Sequence, residues 1–232
     1  MFEERSTELE RIDTGDYTPA EYVTFLREIA FINRYVGDKR ALRKTLLAEI
    51  VEKDLRDFSV LDVGCGSGEL LRIIAEFAAK SGRDAKLTGV DLDPISSATT
   101  KSGSYEFPEI GSVRGDAFQL PFADGAFDYA ISSLFFHHLT DEQIPFVMKE
   151  MSRVARRGIF VIDLHRDPVA YLGYKIFCFV FRISELVRHD GSLSIRKGFR
   201  EGELRSLAEA AGLATSCDVQ VSPGRVVLRS DR

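Results

Sequence analysis

Basic charge is scarce in this sequence. Lys and Arg number 31 against 36 Asp and Glu, giving a net charge of −5 and a pI near 5.5. That balance excludes the positive field by which proteins hold nucleic acid, and favours a small-molecule or protein substrate. Cysteine is scarce too: Cys65, Cys178 and Cys217 are odd in number, widely spaced and without metal-ligand spacing, so no metal is expected and a reducing cytoplasm fits best. No apolar run is long enough to span a bilayer. The nearest, Val169 to Val187, is interrupted by Lys175, Arg182 and Glu185, whereas a span needs about 20 predominantly apolar residues. It reads as an amphipathic helix that rests on the protein, with peripheral contact to a membrane or a greasy ligand left open. The charged start Met1-Phe2-Glu3-Glu4-Arg5 lacks an apolar core segment, so no secretory signal is expected. Internal repeats and low-complexity tracts are absent as well.

What is present is a chain of 232 residues, 44% apolar and 29% charged, enough for one globular domain with a sizeable core. Its centre of organisation is Val60-Leu61-Asp62-Val63-Gly64-Cys65-Gly66-Ser67-Gly68. An apolar run stops at an acid, three glycines follow at alternate positions, and Glu69 to Ile74 continues at helical period. That pattern is a strand, a tight turn and a helix start. Glycines admit a ligand close to the backbone, and the helix N-terminus favours polar or anionic groups there.

Ahead of that strand, residues 1–16 are polar and read as loosely held. Thr18-Pro19-Ala20-Glu21 forms a capping box with proline at the first helical position. Tyr22, Phe25, Leu26, Ile29, Ile32 and Val36 keep the helical period up to a Gly37 cap, and Asp38 starts a second helix reaching about Leu55. Residues 1–57 are therefore expected to form a helical cap on a core of residues 58–232. Within the core, strands are expected over Lys86–Asp91, Ser112–Asp116, Phe127–Ser133 and Ile159–Ile162, with helices between them. One helix is capped at Thr140-Asp141-Glu142-Gln143 and expected to run to Gly158. This alternation implies an α/β, Rossmann-like, doubly wound sheet, mostly parallel, with both faces covered. Residues 164–200 depart from the rhythm and read as a lid insertion containing the apolar helix and a polar turn at His189-Asp190-Gly191-Ser192. A helix over Glu201–Ala211 and an antiparallel C-terminal hairpin, Ala214–Val221 and Arg225–Arg229, complete a seven-stranded sheet.

A glycine turn with an acid at the next strand end also describes a dinucleotide site, and the spacing from Gly68 to Asp91 does not decide. Four features do. The turn reads Gly64-x-Gly66-x-Gly68, Asp62 precedes it in the strand, Asp116 follows strand three, and a hairpin replaces a second nucleotide-binding half. With Gly89-Val90-Asp91-Leu92-Asp93-Pro94, Gly115 to Phe122, and Phe127-Asp128 through His138-Leu139, these residues carry four motifs in order. The sequence resembles the class I S-adenosylmethionine-dependent methyltransferases, and is most similar to the ubiquinone/menaquinone-biosynthesis-like branch, whose members mostly methylate small molecules. The resemblance implies S-adenosylmethionine as cofactor. It implies Gly64, Cys65, Gly66 and Gly68 around the methionine part, Asp62 toward the ammonium and Asp91 on the ribose hydroxyls. It also implies Leu92 and Phe118 against the adenine, Asp116 and Ala117 at its polar edge, and Ser133 beside the site. Cys65 reads as a small spacer within the loop.

Methyl transfer from a sulfonium asks mainly for alignment and removal of the acceptor's proton. His137 and His138 follow strand four at the carboxyl edge, and Asp163 ends strand five on the same edge. A histidine and an aspartate also stand at these places in similar small-molecule methyltransferases. Either histidine is a candidate base, with Asp163 to orient it; His165 is weaker. The helical cap and the aromatic segment Tyr171–Phe181 suggest an aromatic, polyketide or lipid-like hydroxyl acceptor. Ring C-methylation, and a catalytically silent cofactor-binding protein, stay open.

Overall fold

The computed structural model describes residues 2–35, 38–213, 217–222 and 224–231; in the second helix the side chains of residues 22, 26, 30 and 33–35 are outside the description. The expected Gly37 cap, the first residues of the hairpin and its Pro223 therefore lie outside the described residues.

Helices α1 (Arg11–Thr14), α2 (Pro19–Tyr35), α3 (Asp38–Lys44) and α4 (Leu46–Glu52) precede strand β1 (Asp57–Val63). There follow α5 (Glu69–Ser81), β2 (Asp84–Asp91), α6 (Pro94–Gly103), β3 (Ile110–Arg114) and β4 (Phe127–Ser133). A 3-10 turn (Phe136–His138), α7 (Ile144–Val154) and β5 (Ala155–Leu164) lead to α8 (Pro168–Val180), α9 (Glu185–Lys197) and α10 (Glu201–Ala210). The hairpin β6 (Cys217–Ser222) and β7 (Arg225–Asp231) ends the order. The seven strands are arranged β3-β2-β1-β4-β5-β7-β6, and β7 is antiparallel to both neighbours. The expected mixed sheet is thus present.

Alternation along the central strands splits the core into two layers. Leu61, Ala130, Val161 and Leu228 face α7 and α10, through Val147, Met151, Leu204 and Ala208. Val60, Tyr129, Phe160 and Val227 face α3, α4 and α5, through Leu42, Leu46, Ile50 and Ile74. A third, smaller cluster joins α2 to α8 and α9 by Ile32, Cys178, Ile183 and Val187. The buried pair Arg225–Asp38 ties the start of β7 to α3. At the amino ends of the strands, the buried Asp128 accepts from Ser59 N–H, Arg156 and Arg157, which hold its carboxyl well below the usual range against the cost of burial.

Several expectations need correction. The helix after Asp38 breaks at Thr45, whose hydroxyl donates back to Ala41 O at 2.8 Å. Helix α7 stops at Val154 rather than Gly158, because Ala155–Gly158 pair with β4 and β7. Gly158 is there for strand contact: a Cβ would come 2.6 Å from Ser230 O. Strand β3 ends at Arg114, so Asp116 sits in the following turn. The stretch His189–Ser192 is helical within α9. Gly191 admits the Tyr174 hydroxyl, which would lie 2.1 Å from a Cβ, and Asp190 accepts from the N–H groups of Arg11 and Ile12, capping α1 from a distance. Residues 2–16 are not loosely held. Arg166, fully buried, donates to Phe2 O, Glu3 O and Gly198 O and pairs with Glu203.

Candidate active site

The turn after β1 is built by short-range bonding. Gly64 and Cys65 N–H groups donate to Val90 O at 2.9 and 3.2 Å, Gly68 N–H donates to Cys65 O, and the Thr100 hydroxyl donates to Gly66 O at 2.9 Å. All three glycines have φ between +53° and +74°, the left-handed region that side chains disfavour. Their surroundings differ. A Cβ on Gly64 would strike the Phe135 ring at 2.7 Å and one on Gly68 the Thr100 methyl at 2.7 Å, whereas Gly66 opens onto free space. The open cradle is therefore at Gly66. Cys65 points underneath, its sulfur 3.6 Å from Thr100 Oγ1 and against Gly89, and burial pushes its thiol up to about 12. It is a packed spacer with no nucleophilic thiolate.

Asp62 and Asp91 flank that cradle. Asp91 accepts from Gly66 N–H and Asp93 N–H, both at 2.9 Å, one on each oxygen, and each oxygen keeps a second lone pair. Asp62 is buried at the end of β1; desolvation, and next the Asp91 charge, push its carboxyl up to about 7. A carboxylate so placed is stabilised by an incoming cation. Ser133 Oγ at the end of β4 is buried with no hydrogen-bond partner among the described residues. Leu92 and Phe118 are exposed on the rim, Ala117 packs partly on the core, and Asp116 Oδ1 accepts from Phe118 N–H at 2.9 Å. The raised Asp62, the open Gly66 and the orphaned Ser133 hydroxyl fit a ligand bearing an ammonium and further polar atoms.

Beyond β4, the structure separates the two histidines. His137 is buried, with Nδ1 2.7 Å from Asp163 Oδ1 and its backbone N–H on Asp163 Oδ2 at 3.3 Å. An ionised Asp163 fixes the Nδ1–H tautomer and leaves Nε2 to take a proton. Desolvation lowers the His137 pKa, outweighing the pull of Asp163; burial pushes the Asp163 carboxyl up, but His137, with the Leu164 N–H and His138, together hold it below its ordinary value. His138, half-exposed, turns Nδ1 toward Asp13 Oδ2 at 3.4 Å. Burial opposes its charge, but Asp13 and Glu10 raise its pKa. His165 is partly buried and its pKa is lowered by desolvation.

Residues not anticipated from the sequence close the site. Glu10 is buried between the histidines and Lys197, whose Nζ lies 3.3 Å from Glu10 and 3.8 Å from Asp13. Donor atoms of Glu10, His137 and His138 lie within 4.8 Å of one another; the Lys197 ammonium already supplies a cation there. Arg5 stacks 4.2 Å over the Phe199 ring, donates to Leu139 O and Lys197 O, and pairs with Asp141. The N-terminal segment thus crosses the sheet edge directly over the histidines. No local pattern marks it, since its order comes from partners more than 120 residues away.

Residues 60–158 match the family described as "Methyltransferase domain". Residues 60–158 of this chain form a methyltransferase domain. Among curated relatives, the demethylmenaquinone methyltransferase of Bacillus licheniformis is 31% identical over 125 residues, 53% of this chain and 51% of its own. An uncharacterized methyltransferase of Synechocystis is 33% identical over 149 residues, 60% of this chain and 66% of its own. The chain spans about half the length of the first of these relatives. Among solved structures, the Synechocystis magnesium protoporphyrin IX methyltransferase with bound SAH shares the fold with TM-score 0.64 at 15% identity, covering 96% of this chain and 100% of that one. A SAM-dependent methyltransferase from Aquifex aeolicus gives 0.58 at 16%, covering 87% and 97%. The methyltransferase domain thus contains the glycine turn, both neighbouring acids and the histidine pair.

Proposed function

We propose that the chain transfers a methyl group from S-adenosylmethionine to a hydroxyl of a small aromatic or lipid-like acceptor. The observation that carries this reading is the buried Asp62, raised to about 7 beside the open Gly66. Bound there, the cofactor would supply a methyl group already activated on a sulfonium. Asp62 would hold its ammonium, Ser133 another polar atom of the methionine part, and Asp91 its ribose diol through the free lone pairs. Asp116 and Ala117 would meet the polar edge of the adenine, with Leu92 and Phe118 on its rings.

The histidine edge performs the other half. His137 Nε2 takes the acceptor's hydroxyl proton while Asp163 holds the imidazole in the required tautomer and steadies the imidazolium. Burial keeps His137 neutral near pH 7, the state a base needs. His138, held toward Asp13, orients the N-terminal segment instead. A small-molecule acceptor agrees with the acidic chain; a cytoplasmic setting belongs to the same reading. The names of the demethylmenaquinone relatives favour a second outcome, in which the same deprotonation delivers the methyl group to a ring carbon of a quinol.

Calorimetric titration with S-adenosylmethionine, then a screen of phenols and quinols with labelled methyl donor, tests the reading. Failure to bind the cofactor overturns it; product NMR assigns O- or C-methylation.

A further inference from the structure

Helix α8 is apolar on both sides. Its inner side, with Tyr174, Phe177 and Cys178, packs on α2 and α9. Its outer side carries Val169, Leu172, Ile176, Phe179 and Val180, with Val169 75% and Phe179 81% exposed. At 100° per residue these five, with the exposed Gly173, share one continuous arc of the helix. Phe181, partly exposed, turns instead to the inner side, against Phe177 and Phe31. A helix apolar all round is normally covered on all sides, and nothing in the described residues covers this one outside.

Charge around the arc is one-sided. Within α8 the only charged side chain is Lys175, exposed at the edge of the arc and lying 5.5 Å from the Tyr171 ring; no acid occurs between Pro168 and Val180. Arg182 follows, exposed and in the left-handed region at the bend between α8 and α9. On α9, Arg188 and His189 are exposed and Glu185 is the one exposed acid. On a chain of net charge −5, this is a locally basic fringe.

We propose that the outer face of α8 seats the protein on an anionic lipid bilayer, with Leu172, Ile176, Phe179 and Val180 dipping into the boundary of the acyl chains and Lys175 and Arg182 at the headgroups. Two arguments favour a bilayer over a second copy of the chain. Thirteen residues make a helix about 20 Å long, whose single exposed stripe falls well short of the roughly 800 Å² per partner that a stable protein interface buries. An isologous pair of helices crossing at mid-length would also bring Lys175, near the middle of α8, toward its own copy, whereas a bilayer with anionic headgroups receives both Lys175 and Arg182. The helix lies on the surface and does not cross it: among the described residues no helix is long and apolar enough to span a membrane. This inference goes beyond the proposed methyl transfer and does not depend on it.

Co-sedimentation with phosphatidylcholine vesicles, with and without phosphatidylglycerol, tests it on the full chain. The expected result is pelleting with the mixed vesicles that weakens in high salt, and about a tenfold or greater loss of partitioning for Phe179→Asp. Lys175→Glu lowers binding to the mixed vesicles alone. Circular dichroism melts of each variant report folding, since all these side chains are exposed. Absence of pelleting with either vesicle overturns the proposal, as does pelleting that Phe179→Asp leaves unchanged. So does a concentration-dependent dimer in sedimentation velocity that Phe179→Asp dissolves, which would place a second copy on the face. Calorimetry with S-adenosylmethionine, run separately, keeps the fate of the methyl-transfer reading distinct.

Discussion

Asp163 Oδ1 stands 2.7 Å from His137 Nδ1 with both side chains buried, whereas His138, one residue on, reaches away to Asp13. The paired histidines therefore stand in different surroundings, and the proposed reaction gives them different work. For a hydroxyl acceptor, His137→Gln is expected to lower kcat about a hundredfold or more, with the cofactor Kd nearly unchanged. His138→Gln should change kcat little. Asp163→Asn should also lower kcat, by removing the charge that selects the tautomer. Steady-state kinetics alongside calorimetry checks all three; equal losses at both histidines would defeat the distinction.

Asp62 gives the proposed cofactor site an expected pH dependence. Its carboxyl titrates near 7 in the free protein, and an ammonium binds the ionised form. S-adenosylmethionine affinity is therefore expected to fall as pH drops through 7, approaching tenfold per unit well below it. Binding near pH 7 should release protons, seen as a buffer-dependent heat in calorimetry. Asp62→Asn should weaken binding and flatten the profile.

The same residue links function to stability. An acid whose folded pKa is raised favours the folded state only while protonated, so its penalty grows as pH rises from about 4 to 7. Asp62→Asn is expected to raise the Tm of the free protein at pH 8 and to leave it nearly unchanged at pH 4. A lower Tm at pH 8 would contradict this.

His138 is raised by Asp13 and Glu10, so its contribution to holding the N-terminal segment is full below pH 6.5 and lost as pH rises through the raised value. Hydrogen exchange of residues 8–14 should accelerate across that window beyond its intrinsic rate. Asp13→Asn should remove the step.

Arg225 and Asp38 are both buried where β7 meets α3. Arg225→Met leaves an uncompensated carboxylate and is expected to cost about 3 kcal/mol or more in urea unfolding, much of it restored by adding Asp38→Leu.

The legible parts of the sequence were those whose cause is local. Phe127–Ser133 and the run into Asp62 read correctly because an apolar run bounded by turn residues suffices for a buried parallel strand, and the Thr18–Glu21 capping box forms as read, with bonds of 2.8 and 3.3 Å. Glycines misled where their reason was distant. Gly158 serves contact with β7 and Gly191 the Tyr174 hydroxyl, yet from sequence each resembled a helix stop or a turn. Glu10 and Lys197 were invisible because a 3.3 Å ion pair between residues 187 positions apart leaves no local signal. The glycine turn, Asp62 and Asp91 of the proposed cofactor side lie on one βαβ run, β1-α5-β2; the proposed acceptor side is assembled from three distant segments.

The reversal of β7 also sets how the protein is best handled. Its first residue, Arg225, pairs with Leu164 at the carboxyl edge and its last, Asp231, with Gly158 at the opposite edge, while Phe2 and Glu3 are pinned by Arg166, and Arg5 behind them donates to Leu139 O just past the histidines. An affinity tag or surface tether joined after residue 231 would leave the mouth of the site clear. One joined before residue 2 would stand in the doorway.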